Sequence, residues 1–114
     1  MSFTERIKSE LTCVRRIGSD PNLIAVASNM GVYEAVLHIV LAGPSGISVS
    51  ETVDAVQSKF TSRPGILNRL KILREAELIN SVPGPKKSQV NLVASEELLA
   101  SLERAFDIKS DIEK

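Results

Sequence analysis

The chain is poor in the residues that several kinds of chemistry require. Its single cysteine, Cys13, leaves no disulfide framework and no cysteine-rich zinc site, and fits a reducing compartment. His38 is the only histidine, and a lone histidine lacks the further ligands or the nucleophile that metal or acid–base chemistry needs. There is no glycine-rich phosphate loop, G-x-S-x-G elbow or metal-spaced cluster, so no enzyme, cofactor or metal site is expected. The four aromatics, Phe3, Tyr33, Phe60 and Phe106, sit at scattered helical positions, which excludes the stacking platform of a single-strand or RNA binder. Fourteen basic and fourteen acidic residues cancel, so the chain is not a polycation that coats nucleic acid indiscriminately. The longest apolar run, from Val32 to Leu41, is broken by Glu34 and His38, and the start MSFTERIKSE has no signal-peptide core. A soluble cytoplasmic protein without membrane contact is expected.

What is present reads as helices and one hairpin in a single domain, since 114 residues, 43% of them hydrophobic, support one core. Phe3, Ile7, Leu11 and Val14 recur at helical spacing over residues 3–16, with Gly18 ending the segment. Asp20-Pro21 opens a short helix running through Ala27, and after Gly31 the stretch VYEAVLHIVLA predicts a central helix, apolar except for Glu34 and His38. Those two, four apart, read as a helical neighbour pair, and Cys13 as a small packing residue. Ile47-Ser48-Val49 predicts a short strand, and Ser50 a cap for the helix ETVDAVQSKF with Val53, Val56 and Phe60 on one side. Thr61 and Ser62 form a turn and cap, followed by a helix from Arg63 to Ala76. In it Ile66, Leu67, Leu70 and Leu73 form the inward group at about 100° per residue, and Thr61, Gly65, Asn68 and Ile72 lie opposite. Leu78–Val82 and Val90–Val93 then make a hairpin around Pro83-Gly84-Pro85, with Lys86 and Lys87 at its tip. Ser95 caps a last helix carrying Leu98, Leu99, Leu102 and Phe106.

The spacing of Leu70, Leu73, Leu78 and Ile79, L-x-x-L-x-x-x-x-L-I, resembles the end of the recognition helix in MarR-like and related bacterial winged-helix regulators. Glu77 departs from that pattern, standing where such proteins carry glycine. The resemblance implies a mainly α fold with a small β-hairpin (α+β), a winged helix-turn-helix over residues 31–94 with flanking pieces at 1–30 and 95–114 that build a two-fold dimer. Phe3, Ile7, Leu11 and Val14 at one end, and Leu99, Leu102 and Phe106 at the other, are the expected dimer contacts.

Charge placement agrees with that expectation. Between positions 59 and 87 seven basic residues face two acids, Glu75 and Glu77, a surplus of five, whereas 96–114 holds six acids and three bases. A helix entering the major groove reads bases with its opening turns. Asn68, exposed one turn inside the helix of residues 62–76, is the expected adenine reader, and Gly65 allows close backbone approach. Thr61 and Ser62 are expected at the DNA surface, Arg63, Arg69 and Lys71 are expected phosphate or mixed contacts, and Lys86 and Lys87 of the wing, residues 83–89, are expected to grip the backbone or minor groove. The expected function is a sequence-specific, homodimeric, double-stranded-DNA-binding transcriptional regulator, a repressor by occlusion, with room for an unidentified small-molecule effector. The alternatives are a plasmid or phage partition or replication protein of the same architecture, or a winged-helix interaction module that does not bind DNA.

Overall fold

The computed structural model describes residues 1–59 and 61–112. Phe60, expected on the apolar side of a helix, lies outside the described residues. Each helix among them begins at a side chain that accepts a first-turn amide, which is what the positions of serine, asparagine and aspartate in the sequence dictate. Ser2, Asp20, Asn29, Ser48, Ser62 and Ser95 cap, in turn, α1 (Phe3–Gly18), α2 (Pro21–Ala27), α3 (Met30–Ala42), α4 (Val49–Ala55), α5 (Arg63–Glu75) and α6 (Glu96–Phe106). A single 3-10 turn, Gly43–Ser45, leads from α3 into β1 (Ile47–Ser48), and α5 is followed by β2 (Ile79–Pro83) and β3 (Val90–Ala94). The protein is therefore mainly helical with a small antiparallel sheet.

The strands lie in the order β1-β3-β2. Ile47 faces Leu92 across one pairing, and Ile79 to Pro83 face Ala94 to Val90 across the other. The short strand expected at residues 47–49 thus forms over Ile47–Ser48 and pairs with the hairpin, while Val49 already belongs to α4. Gly84 N–H donates to Gln89 O at 2.9 Å, closing a six-residue tip that holds Lys86 and Lys87.

One core joins the helices to the sheet. Val32, Ala35, Val36 and Ile39 make α3 its axis, with Leu70 and Leu73 from α5, Leu92 from β3 and Leu98 from α6 packed round it. Leu23 and Val26 of α2 and Leu102 of α6 belong to the same cluster, so these helices are integral to the core and not peripheral pieces. Only α1 stands apart: it buries no residue, and Phe3 is 75% and Val14 54% exposed. Its last turn touches the rest through half-buried Ile17 and through Arg16, whose guanidinium donates to Ala105 O at 3.4 Å. Among the described residues, no helix is long and apolar enough to cross a membrane.

Three local expectations are corrected. The cap of α4 is Ser48, not Ser50: Ser48 Oγ accepts Glu51 N–H at 3.1 Å and donates to Glu51 Oε1 at 2.8 Å, a reciprocal box that a start at Ser50 would forfeit. The helix also stops at Ala55, because the chain from Val56 onward is drawn out of helical geometry towards α3. Leu67, placed in the inward group of α5, is 39% exposed. It lies about 90° round the helix from the mean direction of Ile66, Leu70 and Leu73, and so falls on the rim of the buried face.

Candidate functional site

The helix expected to read DNA is held from behind by α2 and α3. Glu34, one of two polar residues on α3, turns its carboxylate to the segment between α4 and α5. It accepts Gln57 N–H at 2.8 Å, Ser58 N–H at 2.8 Å and Ser58 Oγ–H at 2.5 Å. The Ser58 hydroxyl first, then the Gln57 amide, hold the Glu34 carboxyl down at about 2, against an ordinary 4.5. His38 sits 3.4 Å away on the same carboxylate, so the expected helical pair is present, as a minor partner of a long-range anchor.

A second tie follows at once. Thr61 Oγ1 donates to Asn29 Oδ1 at 3.0 Å, and Asn29 also caps α3 by accepting Val32 N–H at 3.1 Å. Gly31 lets the turn come this close, since a Cβ there would lie 2.6 Å from Thr61 Cβ. Ser62 Oγ accepts Gly65 N–H at 3.1 Å, and Pro64 occupies the first turn where no amide partner is lost. Thr61 and Ser62, both expected at a DNA surface, have their hydroxyls engaged in building the turn.

The basic residues divide. Arg63 pairs with Asp54 at 2.6 Å. Arg69 reaches back to α2, donating to Ser28 Oγ at 3.1 Å and Ala25 O at 3.4 Å, and Arg74 donates to Ser81 Oγ of β2 at 2.9 Å. Arg69 in particular braces two helices, since its partners lie at the C-terminal end of α2. Lys59, Lys71, Lys86 and Lys87 are exposed and have no acidic or hydrogen-bonding side-chain partner among the described residues. Asn68 is exposed as well, opposite buried Ile66, Leu70 and Leu73. Ile72 joins it on that face, 41% exposed, as its spacing predicts. Comparison with protein-family models, curated proteins and solved structures finds no match.

The end of α5 is as informative as its start. Glu77 has φ 61, the left-handed conformation that glycine favours, and around it Glu77 N–H bonds Arg74 O and Leu78 N–H bonds Leu73 O, each at 3.0 Å. The departure from glycine at this position therefore leaves the helix-ending motif in place, at a conformational cost. That motif aims the chain into β2 and so sets where the hairpin emerges.

The expected dimer residues also divide. Phe3, Ile7, Leu11 and Val14 are all exposed, and Phe106 is 41% exposed. Leu102 is 4% exposed, packed in the chain's own core, so it is removed from the surface group, and Leu99 is half-buried.

Proposed function

We propose that the protein is a sequence-specific double-stranded-DNA-binding regulator of the winged helix-turn-helix type, with α4 and α5 as the helix-turn-helix and the β2–β3 hairpin as the wing. One observation carries the reading: α5 is anchored along Ile66, Leu70 and Leu73 while Asn68, Lys71 and Ile72 face outward on its exposed side. Such a face matches what a major groove offers: an amide for adenine, an ammonium for phosphate or guanine and an apolar group for a thymine methyl. The element order α3-β1-α4-α5-β2-β3 and the sheet order β1-β3-β2 support the same reading. Repression by occupying a promoter is the simplest use of such a protein.

The exposed stripe of α1 fits a two-fold assembly, because Phe3, Ile7, Leu11 and Val14 leave an apolar surface that a second copy would cover. A competing reading, an interaction module that has given up DNA, draws on that stripe and on the arginines tied up within the chain. Affinity for a random duplex across a salt series separates the two. With Lys59, Lys71, Lys86 and Lys87 as the phosphate contacts, log affinity should fall against log salt with a slope of about −3 to −4 per chain. A slope near zero, or no binding at low salt, removes the DNA reading. Sedimentation at tens of micromolar (an order-of-magnitude range) should find a dimer that Leu11→Asp dissociates; a wild-type monomer removes the assembly.

A further inference from the structure

The DNA reading makes no use of a groove of about 520 Å³ between the C-terminal end of α3, β3 and α6, a size typical of small-molecule sites. One side of it is apolar: Val40, Pro44, Val93 and Leu99 line it, together with Ile112 from the segment after α6. That segment turns back because Asp107 takes a left-handed conformation, φ 57. Ile108 N–H then bonds Glu103 O at 3.3 Å, and Ser110 N–H bonds Glu103 Oε2 at 2.6 Å, which brings Ser110 and Ile112 to the rim.

The charged side chains that line the groove, Glu96 and Glu103, are both acidic. They share one face of α6 with Leu99, at positions i, i+7 and i+3, so the two carboxylates stand about 10 Å apart along the helix with the apolar wall between them. Glu103 is engaged by the Ser110 amide. Glu96 is exposed and makes no hydrogen bond or ion pair among the described residues. An anion would meet repulsion at both ends of this groove, and a neutral apolar molecule would leave the Glu96 end unused. We propose that the groove binds a small lipophilic cation, its apolar body against Val40, Pro44, Val93 and Leu99 and its ammonium at Glu96. The proposal does not rest on DNA binding and stands or falls separately.

Three probes with one body and different heads test it on the full chain: phenylbutylamine, phenylbutanol and phenylbutyrate, titrated by amide chemical shifts. The amine should bind about two- to fivefold tighter than the alcohol, as expected for one exposed ion pair, and the acid more weakly than either. Shifts should concentrate in residues 39–44, 93–99 and 108–112. Glu96→Gln should erase the advantage of the amine while leaving the alcohol unchanged, and Ala94→Phe, which fills the groove, should abolish both. Binding of the amine no tighter than the alcohol, shifts centred elsewhere, or undiminished binding to a folded Ala94→Phe variant would each overturn the site. The shift map and the Glu96→Gln comparison decide the matter even if Ala94→Phe does not fold.

Discussion

Replacing Glu77 by glycine should stabilise the protein, although it deletes a side chain and adds backbone freedom. The reason lies in a single dihedral. Glu77 sits at φ 61, where a residue with a Cβ is strained by roughly 1–2 kcal/mol. Glycine removes that strain but gives the unfolded chain more freedom, an opposing effect of about 0.4–1 kcal/mol. The net gain is about 0.5–1 kcal/mol, since the exposed Glu77 side chain takes part in no hydrogen bond or ion pair among the described residues. For a chain of 114 residues that corresponds to a rise in Tm of about 2–5 °C. Urea unfolding followed by circular dichroism measures it, with an unchanged m-value as evidence that only stability has moved. Glu77→Ala is the control, because alanine keeps the strain and removes only the charge. Equal stability of the glycine and alanine variants would refute the left-handed C-terminus of α5. A destabilised glycine variant would refute the assignment of strain altogether.

Three other consequences are specific. The Glu34 carboxyl is held at about 2 in the folded chain against 4.5 unfolded, so its stabilisation is complete above about pH 4.5 and is lost as pH falls towards 2. The difference in urea midpoint between wild type and Glu34→Gln should therefore shrink across that window, and a constant difference would mean the carboxylate is not the anchor. Gly31→Ala should destabilise by about 1–3 kcal/mol despite better helix propensity, because the new Cβ would lie 2.6 Å from Thr61 Cβ; on thermal melting it should cost less in a Thr61→Gly background than in the wild type, and an equal cost in both would mean that Thr61 is not what the new Cβ meets. Changing Lys86 and Lys87 together to alanine should weaken binding to every duplex and reduce the magnitude of the salt slope by about two; an unchanged slope would leave the pair as solvated tip residues.

Periodicity made most of the fold legible, because the helices of this chain have strong stripes and local caps. Ser62-Arg63-Pro64 and Ser95-Glu96-Glu97 announce their helices from within one turn, and the structure places the starts there. Ser48 is equally legible, as the first residue of S-x-x-E ending at Glu51, although Ser50 offers a second cap two residues on. The early end of α4 was not legible, since it depends on Glu34 accepting amides 23 and 24 residues further along. No local window contains both partners. The bracing of α2 by Arg69 is illegible for the same reason: its distance from Ser28 in sequence gives no hint that its guanidinium reaches that helix. Leu102 shows a different limit. An apolar stripe on α6 looks the same whether a second copy or its own chain covers it, and here its own chain does.

The central claim, that the outward face of α5 reads base sequence, is tested most directly at Asn68. Its exposed position away from cap and core means that Asn68→Ala should change stability by no more than about 0.5 kcal/mol. In competition against a panel of single-base variants of a selected duplex, the alanine protein should lose about 1–3 kcal/mol of discrimination at one base pair and keep its affinity for random duplex. Equal loss on every duplex would make Asn68 a backbone contact, and an unchanged pattern of discrimination would contradict the account.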